Sequence, residues 1–367
     1  MFKIKKELIG SLLLLLISLS ISLLMGELLI RWLAPQQLQR GYVIPDADLG
    51  HILGPNQVYY DELAPKYFTY HVRTNSNGLR MDDEVDLSVD KKRIIMLGDS
   101  FTFGWGVEIG KSFAQIIKEN MEKQYHNIQL LNAGIGAYST GHVLKYLRRF
   151  HKKLDIDGVI YFMNSNDLQD NMKTSIDYQV VSFDKTESGL ITLKDKKVYS
   201  QVKRFVVTKV PLYVWLNKNS HLFVFIKRIL KGSSRNADPV VKVSENTLSP
   251  ENERMVHAVA MAHLDRLSEY CKENSLPLLV IWIPDQRELF AGNIPFYERF
   301  KGKVVKRASE TNYSYYDPTK ELKAMVSGEE VSDIYFPEGH YNEKGYYYYS
   351  LAVEESIRDF IDQYYGI

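Results

Sequence analysis

The chain has 367 residues, with 46 Lys or Arg and 45 Asp or Glu, so its formal net charge at pH 7 is only +1. This length is enough for one large core together with a terminal segment and an insertion. The balanced charge gives no basic stripe for nucleic acid and no acidic disordered tail. Cys271 is the single cysteine, which excludes an internal disulfide and a thiolate zinc site. We expect no metal, no cofactor and no nucleic-acid partner.

The N-terminal segment predicts where the protein is located. Residues 8–25 form an apolar run without a charge, and Lys3, Lys5 and Lys6 precede it. This run lies at the short end of what spans a bilayer, and the positive-inside rule leaves the N-terminus in the cytoplasm. A cleaved signal peptide is the alternative, although it favours a shorter apolar core and a better cleavage site. We expect residues 1–34 to be an uncleaved, single-pass transmembrane anchor in the cytoplasmic (inner) membrane, with the remaining chain extracytoplasmic, or periplasmic.

Residues 35–91 are rich in Pro, Gly, Asn, Asp and Tyr. The segment around Tyr70 and the turn at Asn77 and Gly78 predict short strands and hairpins instead of helices. We interpret this part of the chain as an extracytoplasmic spacer that packs on the main domain.

From residue 92 onward, apolar strands alternate with amphipathic helices. The strands are predicted at residues 93–97, 128–131, 158–163, 277–284 and, more weakly, 313–316. Helices are predicted near 112–125, around 143–150, at 250–274 and at the C-terminus. This alternation predicts an α/β domain whose parallel sheet is covered on both faces. Functional sites in such sheets form at the carboxyl ends of the strands.

The insertion at residues 172–250 interrupts this alternation. It contains a predicted hairpin at 178–193, an apolar helix at 211–230 and a polar linker that begins at Gly232. We interpret the insertion as a cap over the site. A helix that only packs against the sheet domain and a membrane-surface element are the two alternatives.

A hydroxyl, an imidazole and a carboxylate occur where strands end or loops turn. Ser100 follows an apolar strand and the residues Gly98 and Asp99, and Glu338 precedes His340 by two positions. A serine hydroxyl becomes a good nucleophile when a base takes its proton and a third group orients that base. We therefore predict acyl-ester chemistry with Ser100, His340 and Glu338 as the catalytic residues.

Four short blocks of this sequence carry a family resemblance. They are Met96-Leu97-Gly98-Asp99-Ser100-Phe101-Thr102, Asn132-Ala133-Gly134-Ile135-Gly136-Ala137-Tyr138, Asn164-Ser165-Asn166-Asp167 and Glu338-Gly339-His340. With these blocks, residues 92–365 without the insertion resemble the SGNH (GDSL-type) hydrolase superfamily. The resemblance implies a flavodoxin-like three-layer αβα sandwich over residues 92–367, with Ser100 as the nucleophile. It also implies an oxyanion hole made by the backbone N–H groups of Ser100 and Ala137 and by the Asn166 side chain.

The sequence departs from the family pattern at three positions. Ala137 and Asn164 stand where the family has glycines, and Pro337 stands where the family usually has its catalytic acid. Members with an acid two positions before the histidine are closer to this chain, which favours Glu338, and Asp333 is the second candidate.

Together, the anchor and the resemblance predict a membrane-bound serine esterase acting on O-acyl esters. The expected substrate is an acylated cell-envelope carbohydrate or another small ester. Two alternatives remain open: an O-acyltransferase that modifies an envelope polysaccharide, and an inactive glycan-binding or assembly module on the same fold.

Overall fold

The computed structural model describes residues 2–36, 38–62, 68–172, 180–186, 190–198, 200–232, 249–311 and 313–366. The chain divides into two compact units. We call Met1–Gly41 with Gln201–Asp238 the helical unit, and Tyr42–Ser200 with Pro239–Ile367 the sheet unit.

The secondary structure of the described residues consists of the following elements. The strands are β1 (Val43–Asp46), β2 (Gly50–Leu53), β3 (Val58–Asp61), β4 (Tyr70–Arg73), β5 (Lys92–Gly98), β6 (Ile128–Gly134), β7 (Gly158–Asn164), β8 (Val181–Lys185), β9 (Ile191–Asp195), β10 (Leu278–Ile283) and β11 (Ser314–Tyr316). The helices are α1 (Phe2–Leu33), α2 (Ser100–Phe103), α3 (Phe113–Gln124), α4 (Thr140–Leu154), α5 (Asn166–Asp170), α6 (Gln201–Lys209), α7 (Pro211–Asn219), α8 (His221–Gly232), α9 (Pro250–Glu273), α10 (Gln286–Phe290), α11 (Pro295–Glu310), α12 (Thr319–Met325), α13 (Val331–Ile334) and α14 (Glu343–Tyr365).

A five-stranded sheet forms the centre of the sheet unit, in the order β6-β5-β7-β10-β11. Every pairing within it is parallel. In chain order these strands are arranged 2-1-3-4-5, which is the flavodoxin-like order of a doubly wound sheet. The prediction of a parallel α/β sheet is confirmed, and each of the five predicted strands is present.

The two faces of this sheet carry separate apolar clusters, as a three-layer sandwich requires. Alternate residues of β5 point to opposite sides: Ile95 and Leu97 join the cluster with α4, α9 and α11. Ile94 and Met96 join the cluster with α3 and α14. Because side chains alternate along a strand, a strand covered on both faces is apolar throughout. The prediction of helical layers on both faces is confirmed.

Residues 42–91 are an integral part of the sheet unit. They form two antiparallel hairpins, β1–β2 and β3–β4. Tyr70, Val72 and Leu79 are fully buried and belong to the same cluster as α4 and α9. The segment predicted to be a spacer therefore contributes to the core of the domain, and the unit begins at Tyr42.

The insertion is shared between the two units. Its antiparallel hairpin β8–β9 belongs to the sheet unit, whereas α6, α7 and α8 belong to the helical unit. The single helix predicted at 211–230 is divided at Ser220, and α6 precedes it. Parts of the predicted hairpin (173–179 and 187–189) and most of the predicted linker (233–248) lie outside the described residues. The suggested cap stays a prediction.

The helical unit contains the apolar N-terminal helix α1. Residues Ile9–Leu33 of α1 are long and apolar enough to cross a membrane, and their side chains are exposed. An N-terminal helix of this kind is either a membrane anchor or a signal sequence.

Candidate active site

The first part of the site is the turn between β5 and α2. Asp99 is the N-cap of α2, and its Oδ1 accepts a hydrogen bond from the Phe101 N–H at 2.9 Å. Ser100 is the first residue of this helix, directly beyond the carboxyl end of β5. A side chain at Gly98 would collide with Thr102 and with the Phe162 backbone. Glycine at this position therefore allows the chain to turn closely over the sheet edge.

The far end of α2 is held by a buried arginine. The Arg80 guanidinium donates to the Phe103 carbonyl, to the Gly104 carbonyl at 2.5 Å and to the Val107 carbonyl at 2.6 Å. It also lies 4.4 Å from the centre of the Phe103 ring. The terminal carbonyls of a helix lack partners within it, so Arg80 satisfies groups that would otherwise be buried without hydrogen bonds. The sequence alone did not identify Arg80, because it lies in the segment interpreted as a spacer.

The second part of the site is the loop that carries His340. Residues Tyr335 and Tyr341 form an isolated antiparallel bridge, and the Phe336 N–H donates to the His340 carbonyl at 2.8 Å. Gly339 has a φ of 101°, a conformation that only glycine adopts readily. The buried Tyr341 hydroxyl donates to the Pro284 carbonyl at 2.9 Å. These contacts fix the backbone on both sides of His340.

Three predicted side chains meet in one hydrogen-bonded chain. Ser100 Oγ lies 2.7 Å from His340 Nε2, and His340 Nδ1 lies 3.1 Å from Glu338 Oε1. The His340 and Glu338 side chains are 22% and 33% exposed, so the chain of contacts is open to a substrate from outside. The Asp333 carboxylate instead caps α13 by accepting from the Glu330 N–H at 3.0 Å. Of the two candidate acids, Glu338 is the one in contact with the imidazole.

The loop after β6 approaches Ser100 closely. A Cβ added to Gly136 would lie 3.9 Å from the Ser100 Cβ, so the neighbouring Ala137 amide is beside Ser100. Ala137 has a φ of 65°, in the left-handed region, which costs a non-glycine residue about 1 kcal/mol. Neither the Ser100 nor the Ala137 N–H has an acceptor among the residues that the structure describes. Both amides are therefore able to bind an oxygen of a substrate.

Asn166 starts α5 at the carboxyl end of β7. Its side-chain Nδ2 donates to Asp99 Oδ2 at 3.0 Å, which fixes the orientation of the amide beside the turn that carries Ser100. Its backbone N–H donates to Asn164 Oδ1 at 2.9 Å. Asn164, one of the departures from the family pattern, thus supports the loop that presents Asn166.

A histidine that the sequence did not single out contacts the same region. His51 Nε2 lies 2.8 Å from the Gly136 carbonyl, which belongs to the same peptide group as the Ala137 N–H. The Tyr138 hydroxyl donates to the His51 carbonyl at 2.7 Å. Burial lowers the pKa of His51, so the ring is neutral and donates through Nε2. No local sequence pattern identifies His51, because its hydrogen-bond partner Gly136 lies 85 positions later in the chain.

Two carboxyls, those of Asp99 and Asp167, are buried near Ser100. Burial raises the pKa of Asp99. Burial, reinforced by the nearby Asp99, raises the pKa of Asp167 well above its ordinary value of 3.8. Asp167 Oδ2 accepts from the Tyr161 hydroxyl at 2.9 Å and from the Asn164 N–H at 3.0 Å. Within the described ranges, no group of three or more His, Cys, Asp or Glu is arranged to hold a metal ion.

Comparison with known proteins gives similarity at the level of structure only. No protein-family model and no curated protein matches the sequence. One similar solved structure is the psychrotrophic esterase EstA from Pseudoalteromonas sp., with 11% identity and a TM-score of 0.41, over 74% of this chain and 100% of that one. Another is a lipolytic protein of the G-D-S-L family from Veillonella parvula, with 13% identity and a TM-score of 0.39, over 72% and 97% of the two chains.

A third similar structure is a catalytic mutant of Axe2, an acetylxylan esterase from Geobacillus stearothermophilus. It has 12% identity and a TM-score of 0.39, and the match covers 72% of this chain and 94% of that one. The strand order and the parallel pairing described above define the fold of this chain independently of these matches.

Proposed function

We propose that this chain is an SGNH-type serine hydrolase that cleaves O-acyl esters. The observation that carries the proposal is the chain of contacts from Ser100 Oγ through the His340 ring to Glu338, at 2.7 and 3.1 Å. Ser100 lies more than 200 positions before Glu338 and His340 in the chain. In the folded protein the three side chains converge at the carboxyl edge of the sheet. Hydroxyl, imidazole and carboxylate in this order form the arrangement that activates a serine nucleophile.

The reaction proceeds in two steps. Ser100 Oγ attacks the ester carbonyl carbon while its proton passes to His340 Nε2, and the Glu338 carboxylate stabilises the imidazolium. The bond to the leaving alcohol then breaks, and His340 gives its proton to the departing oxygen. In the second step, water attacks the acyl carbon while His340 Nε2 accepts a proton from that water. The bond between the acyl carbon and Ser100 Oγ then breaks, the imidazolium returns its proton to Oγ, and the carboxylic acid leaves.

The negative charge of each tetrahedral intermediate is stabilised by three donors. The Ser100 and Ala137 N–H groups supply two of them, and the second proton of Asn166 Nδ2 supplies the third. The contact of Asn166 with Asp99 supports this role because it fixes the amide before substrate arrives. Preorganised donors of this kind are often the largest single contribution to catalysis.

The proposed substrate is an O-acylated carbohydrate of the cell envelope. In support, α1 is long and apolar enough to anchor the chain in a membrane, and lysines precede it on the side expected to be cytoplasmic. In this proposal, the sheet unit lies on the extracytoplasmic side of the inner membrane, the side on which it would meet envelope polysaccharides. The intact mass of the purified mature protein tests whether α1 is retained.

A fluorophosphonate probe tests the proposed nucleophile. The full-length protein in detergent should be labelled and should hydrolyse p-nitrophenyl acetate, and Ser100→Ala should lose both properties. Ser309→Ala serves as a matched control, since Ser309 is exposed on α11 and its hydroxyl donates to the Lys306 carbonyl of the same helix. Failure of the wild-type protein to react with either compound, together with tight binding of a glycan, would support the binding module instead.

Product analysis with an acetylated oligosaccharide separates hydrolysis from transfer. Release of free acetate in the presence of an unacetylated sugar acceptor supports the hydrolase. Acetylation of that acceptor, again dependent on Ser100, would identify a transferase and replace this part of the proposal.

A further inference from the structure

The helices α6, α7 and α8 carry an unusual distribution of charge. Residues 201–232 contain no Asp or Glu, and they contain seven cationic residues: Lys203, Arg204, Lys209, Lys218, Lys227, Arg228 and Lys231. The whole chain is almost neutral, so this concentration of positive charge is local to these helices. A surface of this kind attracts an anionic partner.

The same helices expose large apolar side chains. Seven of them are between 46% and 76% exposed: Val202, Phe205, Leu212, Trp215, Ile226, Ile229 and Leu230. On α8, Ile226, Ile229 and Leu230 have the three- and four-residue spacing of one helical face. Apolar side chains combined with cations, without acidic residues, are typical of a helix that lies in a membrane interface.

Direct contacts connect α8 to the end of α1. Glu27 of α1 accepts hydrogen bonds from the Ser220 hydroxyl at 2.7 Å and from the His221 and Leu222 N–H groups, each at 2.9 Å. A carboxylate at the N-terminus of a helix satisfies its unpaired N–H groups and favours its dipole. A Cβ added to Gly26 would lie 3.1 Å from Leu222 Cδ2, so the Leu222 side chain of α8 packs directly against α1 at Gly26.

Because Glu27 contacts the first residues of α8, its place along α1 determines how deep in the bilayer α8 begins. Glu27 lies six residues before the end of α1 at Leu33, which corresponds to about 9 Å along the helix axis. Interfacial helices bury their apolar face by about 5–10 Å. Trp32 is 80% exposed near the same end of α1, and tryptophan is enriched at membrane interfaces.

We propose that α6, α7 and α8 form a second membrane contact, which lies in the anionic headgroup region of the same bilayer that α1 crosses. The inference goes beyond the proposed esterase activity and needs only that α1 remains in the mature protein. Charge favours a bilayer with anionic lipid over a second copy of this chain, because two copies would bring like charges together. A second contact also prevents the helical unit from rotating about the α1 axis.

Site-directed spin labelling of the full-length protein in proteoliposomes tests the proposal. Cys271→Ala removes the single cysteine, and Ile229→Cys or Leu212→Cys then introduces one nitroxide. In vesicles containing phosphatidylglycerol, these labels should be accessible to oxygen, which concentrates in the bilayer, and protected from the water-soluble relaxant nickel-EDDA. Val89→Cys is the matched control, since Val89 is fully exposed on the sheet unit, and it should show the opposite preference.

Three results would overturn the proposal. Equal exposure of the Ile229 and Val89 labels to nickel-EDDA would show that the surface lies in water. Protection of the Ile229 label from both relaxants would show that protein covers it. Protection that falls when the protein is diluted tenfold in lipid would identify a second copy as the partner.

A charge variant tests the lipid preference. Arg204, Lys209 and Arg228 are exposed, and each cation near an anionic surface strengthens binding by roughly fivefold. Replacement of all three by Gln should increase nickel-EDDA access to the Ile229 label in anionic vesicles. If nickel-EDDA reaches the Ile229 label equally in this variant and in the parent protein, anionic lipid is not the partner and the proposal is wrong on that point.

Discussion

The His340 ring connects a residue two positions away with one 240 positions away. The contact with Glu338 is local, and the left-handed Gly339 between the two residues allows it. The contact with Ser100 requires the complete fold. The two candidate acids differ in the atom that each contacts. Glu338 contacts His340 Nδ1, whereas Asp333 accepts a hydrogen bond from the Glu330 N–H.

Replacing Glu338 by Gln should lower kcat by about 10²- to 10⁴-fold, because the imidazole loses the group that orients its Nδ1–H and stabilises its charged form. Asp333→Asn is the control and should leave kcat near the wild-type value, since asparagine still caps α13. The measurement is ester turnover by the two purified variants. A large loss in Asp333→Asn with normal turnover in Glu338→Gln would reverse the acid assignment.

Replacing His51 by Phe should lower kcat about tenfold with little change in KM. The reason is that the Gly136–Ala137 peptide loses the hydrogen bond that orients its N–H, and a misaligned donor loses part of the 10²- to 10³-fold contribution of an oxyanion contact. His51→Gln keeps a donor and should recover part of the rate. Equal losses in both variants, or a loss that follows the melting temperature, would indicate a purely structural role.

Single elements of the site are not stable alone. The four-residue helix α2 is far shorter than any helix that persists in isolation. It is held by the Asp99 cap at its start and by Arg80 at its end. Gly134 of β6 allows α2 to pack closely on the sheet, since a side chain at this position would collide with Thr102 and Phe103. The position of Ser100 is thus set by neighbours from three separate parts of the chain.

Arg80→Met should lower the free energy of unfolding by about 3 kcal/mol or more, because three buried carbonyls lose their donor. Arg73→Met is the matched control in the same segment. Arg73 pairs with Asp82 on the surface, where both side chains are about half exposed, and loss of such a pair costs at most about 1 kcal/mol. Urea unfolding followed by intrinsic tryptophan fluorescence measures both variants, and similar losses would contradict the role assigned to Arg80.

The sheet unit as a whole buries the carboxyls of Asp99 and Asp167 near the carboxyl ends of its strands, and this burial couples its stability to pH. Asp167 binds its proton more tightly in the folded chain than in the unfolded chain, because its pKa is raised. The folded state therefore carries more bound protons, and stability falls as pH rises above the ordinary pKa of 3.8. The slope is at most about 1.4 kcal/mol per pH unit for one group.

Asp167→Asn should reduce the loss of stability between pH 5 and pH 8, because asparagine carries no charge and still accepts hydrogen bonds from Tyr161 and Asn164. The measurement is the free energy of unfolding at both pH values. Asp90→Asn, on the exposed surface, should keep the wild-type pH dependence. The same pH dependence in the wild-type protein and Asp167→Asn would contradict the prediction.

Much of the sheet was predictable because its strands are buried on both faces. Such strands appear in the sequence as continuous apolar runs, and the helices between them carry local capping signals, such as Ser112 before α3. The division of the predicted helix 211–230 at Ser220 was not predictable. It depends on Glu27, about 190 positions earlier, which binds the Ser220 hydroxyl.

The sequence by itself determined the apolar N-terminal helix, the alternation of strands and helices, and the identity of the hydroxyl, imidazole and carboxylate that meet. Local patterns carry this information, because periodicity and turn residues act over a few positions. Only the tertiary structure decided that residues 42–91 belong to the core, that Arg80 and His51 support the Ser100 helix and the loop beside it, and that α8 packs on α1. Those contacts join residues far apart in the chain, and no local pattern encodes which distant partner a buried polar group will find.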